Sequence, residues 1–220
     1  MKKIQGMIFD LDGTLANTLD DLANAMNTVL ASHQFPVFPI EAYNYFVGNG
    51  IRNLVQATLP EHERTEERIA QCYEEMIILY RDGCLRQTHL YDGIMELIKT
   101  LQRKNYSLAV FSNKADEMTQ MIVEKLIGKR NFEIVFGAQP AIPRKPDPSG
   151  ALLIGQRLGI EPQNMAYLGD TSTDMMTAAR AGMFAIGALW GFRTETELVE
   201  NGAQALARHP QDVLHILGER

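Results

Sequence analysis

The chain has 220 residues, 45% of them hydrophobic, and a formal net charge of −6. That is enough apolar material for one good-sized core, or a core with a small companion domain. The acidic balance, without any run of Lys and Arg, argues against a nucleic-acid partner, and no apolar stretch is long enough to span a membrane. The first residues carry two lysines but no long apolar run of the secretory kind. The only cysteines, Cys72 and Cys84, form no Cys-x-x-Cys pair, so structural zinc and a disulfide framework are not expected and a reducing cytoplasm fits.

Residues 4–9 are a short apolar run that predicts a strand, ending in Asp10-Leu11-Asp12-Gly13-Thr14. Residues 15–88 then read as helical throughout. Leu15, Leu19, Leu22, Met26 and Val29 recur at helical spacing, the turn "VGNG" (47–50) breaks the pattern, and Ile69, Tyr73, Met76 and Tyr80 form a second stripe. From residue 93 helix and strand alternate. A helix is predicted at 94–101, a strand at 106–113, a helix at 115–127 and a strand at 133–138. The helix expected at 148–158 has Asp147 as N-cap, Pro148 as first helical residue and Gly159 as stop. A strand at 165–170, a helix at 172–181 and a last strand at 184–190 complete the series. Strands alternating with helices imply a parallel sheet covered on both faces. The fold expected is therefore α/β, a Rossmann-like three-layer core with an inserted all-helical cap. Residues 1–14 and 89–220 would form the core and residues 15–88 the cap.

Residues two apart on a strand share a face, so Asp10 and Asp12 place like charges side by side, and burial raises the cost. Ligands of open parallel sheets bind beyond the carboxyl ends of the strands. Ser112 and Asn113 end the second core strand, Lys145 lies in the loop after the third, and Asp170 and Asp174 follow the fourth. Four carboxylates, a hydroxyl and a lysine thus converge on one edge. A cluster of acids wants a cation, and an all-oxygen site suits magnesium. Helix N-termini near Ser112 and Thr171 would add N–H groups facing an anion. Together these point to phosphoryl chemistry.

Asp10-Leu11-Asp12-Gly13-Thr14 resembles the first motif of the haloacid dehalogenase superfamily. Ser112, Lys145 and "GDTSTD" (169–174) resemble its second, third and fourth motifs, in order, and the helical insertion resembles its cap. "VGNGIRNLV" (47–55) and "WGF" (190–192) are similar to the phosphoglycolate phosphatase branch. The resemblance implies roles residue by residue. Asp10 would be the nucleophile and a magnesium ligand. Asp12 would be general acid and then base, its backbone carbonyl also binding the metal. Ser112 and the Asn113 backbone N–H would hold phosphate oxygens, with Gly13 and Thr14 of the first motif beside them. Lys145 would pair with the phosphate and with Asp10. Asp170 would ligate magnesium, with Asp174 supporting it directly or through water. In the cap, Asn49 and Arg52 are the residues expected to meet the substrate, Arg52 by gripping a carboxylate bidentately.

Singly these residues say little. An Asp after a strand is usually a turn or cap residue, Ser112 alone reads as a helix cap, Lys145 and Arg52 alone as surface cations, the five histidines as packing or surface residues and the methionines as core filler. The set carries the argument. Asp12 speaks against a dehalogenase. The stretch from Leu15 to Ile98 contains no lysine, which speaks against a Schiff-base phosphonate hydrolase and weakens a phosphomutase. The function expected is a cytoplasmic, magnesium-dependent phosphatase, monomer or homodimer. It would act on a small phosphorylated metabolite, 2-phosphoglycolate by the branch resemblance. The rivals are a broad sugar-phosphate, nucleotide or pyrophosphate phosphatase, a mutase, and a non-catalytic binding protein that keeps the fold.

Overall fold

The computed structural model describes residues 3–218. In chain order, β1 (Gly6–Phe9) leads through β2 (Ala16–Asn17) into four helices: α1 (Leu19–Ser32), α2 (Tyr43–Phe46), α3 (Ile51–Thr58) and α4 (Glu66–Gly83). β3 (His89–Leu90) returns the chain to α5 (Ile94–Arg103), β4 (Ser107–Ala115), α6 (Asp116–Leu126), β5 (Ile134–Ala138) and α7 (Ser149–Leu158). Then come β6 (Met165–Gly169), α8 (Ser172–Ala181), β7 (Phe184–Ala188), α9 (Glu195–Glu200), β8 (Ala205–Ala207) and α10 (Asp212–Gly218). The main sheet has six strands in the order β5-β4-β1-β6-β7-β8, all parallel.

Strand periodicity sorts the core into two faces. Met7, Phe9, Leu108, Val110, Ala166 and Leu168 point to one side, where α5, α6 and α10 cover them. Ile8, Ala109, Phe111, Met165 and Tyr167 point to the other, against α7, α8 and α9. Met7, Ile8 and Phe9 are fully buried, each contributing roughly 1.5–3 kcal/mol by removal from water. Such a strand, apolar on both faces, is what the middle of a covered parallel sheet requires. The chain steps outward from β1 to β4 and β5, then returns to the other side of β1 for β6, β7 and β8. The carboxyl ends of β4, β1 and β6 therefore lie side by side at the point where the winding reverses, the ligand crevice of such sheets.

Several elements differ from the sequence expectation. The sheet does not end at residue 190: β7 stops at Ala188 and β8 adds a sixth strand. β8 is three residues of Ala and Leu, too short for an alternation signal. Helix α7 starts at Ser149 with Pro148 as its N-cap residue, one position later than expected, and Asp147 Oδ1 still accepts the Ser149 N–H at 2.8 Å. Strand β4 runs on to Ala115, with an irregular register after Phe111. The N–H groups near Ser112 thus belong to a strand end and not to a helix N-terminus. The segment 15–88 is not wholly helical: Ala16–Asn17 pair antiparallel with His89–Leu90, so the two crossings between sheet and helices are hydrogen-bonded to each other. Asp21, buried in the first turn of α1, adds to this. Its carboxylate accepts the N–H groups of Gln87 and Thr88 and the Thr88 hydroxyl. The apolar stripes of α1 and α4 pack together, with Leu22, Met26, Val29 and Leu30 facing Ile69, Cys72, Met76 and Tyr80 inside the helical block.

Candidate active site

Asp10 follows β1 directly, and Asp10 is buried at 4% exposure. Lys145, from the loop after β5, reaches across to it. Its Nζ lies 2.8 Å from Asp10 Oδ1 and 2.6 Å from Asp174 Oδ1. The contact to Asp10 is an ion pair without hydrogen-bond alignment, so Oδ1 keeps an unused acceptor. Lys145 is itself held from behind: Asn113 Oδ1 accepts the Lys145 N–H at 2.9 Å, and Asn113 Nδ2 donates to the Lys145 carbonyl at 3.1 Å.

Asp170 ends β6. Its Oδ1 accepts the Thr14 hydroxyl at 3.0 Å and its Oδ2 accepts the Phe192 N–H at 2.8 Å. Two glycines make room for it. A Cβ on Gly13, whose φ of +83 favours glycine, would sit 2.2 Å from Asp170 Oδ2, and one on Gly191 would sit 2.3 Å from the Asp170 Cβ. Asp174 is the third residue of α8 and forms a capping box with Thr171. Its Oδ2 accepts from the Thr171 hydroxyl (2.6 Å) and N–H (3.1 Å) while its Oδ1 takes Lys145. Each Asp174 oxygen thus meets two donors, the Tyr167 hydroxyl being the second on Oδ1 at 3.5 Å, whereas each Asp170 oxygen accepts one and Asp10 Oδ1 none.

One oxygen each from Asp10, Asp170 and Asp174 lie within 4.8 Å of one another, all buried. Burial, and then the Asp174 charge, push Asp10 well above the usual carboxylate range against the pull of Lys145. The same two causes raise Asp170 to about 7, resisted by the Phe192 N–H and the Thr14 hydroxyl. Burial works against the charged form of Lys145, but Asp10 and Asp174 outweigh it and hold its pKa well above normal. Lys145 contacts two of the three carboxylates, so the trio in its fully ionised form, taken with this ammonium, carries a net charge of −2. An oxygen-only donor set with that deficit fits a hard divalent cation.

Asp12 is separate from this trio. Its Oδ1 accepts the Thr18 hydroxyl at 2.6 Å and lies 2.8 Å from Lys114 Nζ. Lys114 did not figure in the sequence reading. It is buried, sits two residues after Ser112 on β4, and packs its ammonium 4.7 Å from the centre of the Tyr80 ring on α4. Strand alternation does not signal it, because the register of β4 is irregular after Phe111, and Ser112, Asn113 and Lys114 all line the same cleft. The "WGF" segment also has a place: Trp190 Nε1 donates to the Thr14 carbonyl at 2.9 Å, and Phe192 supplies its N–H to Asp170.

Between the strand ends and the helical block lies a narrow cleft of about 30 Å³. Leu22, Val47, Ile51 and Leu54 line it from the helical side; Asp10, Asp12, Ser112, Asn113 and Lys114 line it from the sheet. The 47–50 loop is fastened to the core at three points. Asn113 Nδ2 donates to the Gly48 carbonyl (3.2 Å), the Thr173 hydroxyl donates to Asn49 Oδ1 (3.4 Å), and Arg193 Nη2 donates to the Val47 carbonyl (2.9 Å). Arg52 stands apart. It is half exposed, pairs with Glu66 and does not line the cleft.

The six-stranded order, the acid trio and the buried lysine define a haloacid dehalogenase-type phosphatase core. The chain belongs to the haloacid dehalogenase-like hydrolases: the family model matches residues 7–188. It is 30% identical over 199 residues to a phosphoglycolate phosphatase of Haemophilus influenzae, covering 88% of this chain and 89% of the relative. It is 29% identical to phosphoglycolate phosphatase 1 of Pseudomonas aeruginosa over 216 residues, 94% of this chain and 78% of the relative. A solved structure from Lactobacillus delbrueckii subsp. bulgaricus, provisionally assigned as a phosphoglycolate phosphatase, superposes with a TM-score of 0.92. The two are 29% identical, with 98% of each chain covered. The chain is thus a phosphatase of this family, and among the described residues no helix is long and apolar enough to cross a membrane.

Proposed function

We propose that the chain hydrolyses a small phosphate monoester with magnesium, through an aspartyl-phosphate on Asp10, and that 2-phosphoglycolate is its substrate, giving glycolate and phosphate. The observation that carries the reading is the buried Asp10 beside Lys145, in a carboxylate trio two charges short of neutral. An Asp10 oxygen attacks phosphorus and the bond from phosphorus to the ester oxygen breaks. The leaving oxygen takes its proton from Asp12. Asp12 then takes a proton from water, the resulting hydroxide attacks phosphorus, and the bond to Asp10 breaks to release phosphate. Lys145, Ser112 and the Asn113 N–H hold phosphate oxygens. Gly13 supplies a backbone that closely approaches Asp170, and Thr14 orients that carboxylate. Asp10, the Asp12 carbonyl and Asp170 would hold magnesium. Asp174, both of whose oxygens are engaged, would act behind them by fixing Lys145. The metal supplies positive charge that offsets the repulsion between a carboxylate and an anionic ester.

Residues 1–14 and 89–220 serve as the core and 15–88 as a cap, closing about the paired crossings at Ala16–Asn17 and His89–Leu90. Residues 1, 2, 219 and 220 lie outside the described residues. A closed cap expels water from the reaction. The cleft is narrow, about 30 Å³, and the side chains of its roof, Leu22, Val47, Ile51 and Leu54, are apolar, which favours a short ester over a bulky sugar phosphate. The relatives named as phosphoglycolate phosphatases support the same choice.

The test is phosphate release from 2-phosphoglycolate, glucose 6-phosphate, a nucleoside monophosphate and pyrophosphate, with magnesium and with chelator. Release from 2-phosphoglycolate is expected to lead the panel and to fall at least about a hundredfold on chelation, since a metal contributes several kcal/mol to such a transition state. Flat activity across the panel would keep the chemistry and remove the substrate; transfer without free phosphate would indicate a mutase.

The acid trio also predicts a pH dependence of stability. Asp170, raised to about 7, binds its proton more tightly folded than unfolded. In the metal-free protein it therefore contributes stability that is full below about 4 and lost as pH rises through about 7. A cation reverses this, because it binds the ionised carboxylate and competes with the proton. The gain in Tm on adding magnesium is expected to be larger at pH 7.5 than at pH 5.5. Equal gains at the two pH values would show that no proton is displaced from the trio.

A further inference from the structure

Among the described residues that line the cleft, one carries a positive charge, and it is Lys114. Lys145, bound to Asp10 and Asp174, is the cation already assigned to the phosphate. Arg52 is paired with Glu66 and Arg193 is turned to the Val47 carbonyl and Glu197. The helical side of the cleft presents the side chains of Leu22, Val47, Ile51 and Leu54, none of them charged, with the backbone of Gly48 and Gly50.

Lys114 is placed to do so. Its ammonium has three donors. One reaches Asp12 Oδ1 at 2.8 Å, and the Tyr80 ring supports the charge from one side. Burial to 2% side-chain exposure removes most competing water, so an anion that reaches the remaining donor meets little screening. Ser112, expected against the phosphate, lies two residues away and lines the same cleft, its hydroxyl accepting the Lys114 N–H at 3.2 Å. A phosphate at Asp10 and Ser112 thus puts the tail of a short ester next to Lys114, beneath an apolar roof.

We propose that Lys114 reads a second negative group on the substrate, the carboxylate of a short phosphorylated acid, and so sets the preference of the site for anionic over neutral esters. This rests on the phosphatase reading above, and moves the selectivity from the cap arginine to a lysine of the core.

The experiment compares kcat/KM for 2-phosphoglycolate and for ethyl phosphate, an ester of similar size without the carboxylate, in the unaltered chain and in Lys114→Met, Lys114→Arg and Arg52→Ala. Loss common to both esters reports the disturbed Asp12; loss in excess on the charged ester reports the anion contact. Lys114→Met is expected to lose about 10- to 100-fold more on 2-phosphoglycolate than on ethyl phosphate, the range of a charge-assisted hydrogen bond. Lys114→Arg, which keeps the charge and guards against a folding failure of the methionine variant, is expected to keep most of the preference. Equal losses on both esters, a preference that survives Lys114→Met, or a preference erased by Arg52→Ala instead would each overturn the proposal. An unaltered chain that hydrolyses ethyl phosphate as well as 2-phosphoglycolate would overturn it while leaving the phosphatase standing. A chain that hydrolyses neither would remove both.

Discussion

Asp10→Asn is expected to lower turnover at least about ten-thousandfold, a loss of about 5 kcal/mol of transition-state stabilisation, and to abolish labelling of the protein by phosphate. The substitution keeps the shape of the side chain and removes its nucleophilic oxygen charge. It also faces Lys145 Nζ, now 2.8 Å from a carboxylate oxygen, with a group that holds at best a neutral carbonyl. Two consequences separate a nucleophile from a merely structural acid. The variant should still bind magnesium through Asp170 and the Asp12 carbonyl, though more weakly. In acid-quenched reactions with radiolabelled ester, the unaltered protein should retain label and the variant none. Activity within about tenfold of normal, or label that persists in the variant, would remove Asp10 from the covalent role. The fold should survive, because the change relieves a cost: burial and the Asp174 charge already disfavour an ionised carboxylate at this position.

What the sequence made legible and what it hid divide along range and length. The parallel core was legible because β1, β4 and β6 are long enough, and apolar enough on both faces, to announce themselves. Once they are aligned, topology alone brings Asp10, Asp170, Asp174 and Lys145 to one edge. Elements of two or three residues were not legible. The β2–β3 pairing consists of Ala16, Asn17, His89 and Leu90, joined across the whole helical block, and no local pattern can signal it. β8 fails for the same reason. Lys114 was hidden by a boundary: with the strand ended at Asn113 it reads as a loop lysine, whereas the strand continues to Ala115 and turns it into the cleft. Arg52 shows the opposite case. Its place after the Gly48-Asn49-Gly50 turn suggested a substrate contact, but on α3 its side chain finds Glu66 of α4, a helix neighbour that only the tertiary packing reveals.

Lys145→Met is the other substitution expected to have a large effect, and it acts on stability as well as turnover. Among the described residues Lys145 is the ammonium that contacts the trio, at 2.8 Å from Asp10 and 2.6 Å from Asp174. Removing one partner of a buried ion pair leaves an uncompensated charge and costs about 3–5 kcal/mol, which for a chain of this size lowers Tm by about 6–20 °C. Turnover should fall at least about a thousandfold, since both the phosphate and the attacking carboxylate lose their protein cation. The stability loss has a signature that distinguishes electrostatics from packing. Without the lysine the trio escapes its own repulsion by taking up protons, so in metal-free buffer the loss should be smaller at pH 5.5 than at pH 8. Magnesium should reduce it further at pH 8, because the cation supplies charge where the ammonium stood. Melting curves of the unaltered and Lys145→Met proteins at both pH values, with magnesium and with chelator, measure all four quantities. A loss independent of pH and metal would mean that the lysine stem packs the site and that its charge does not hold the acids together.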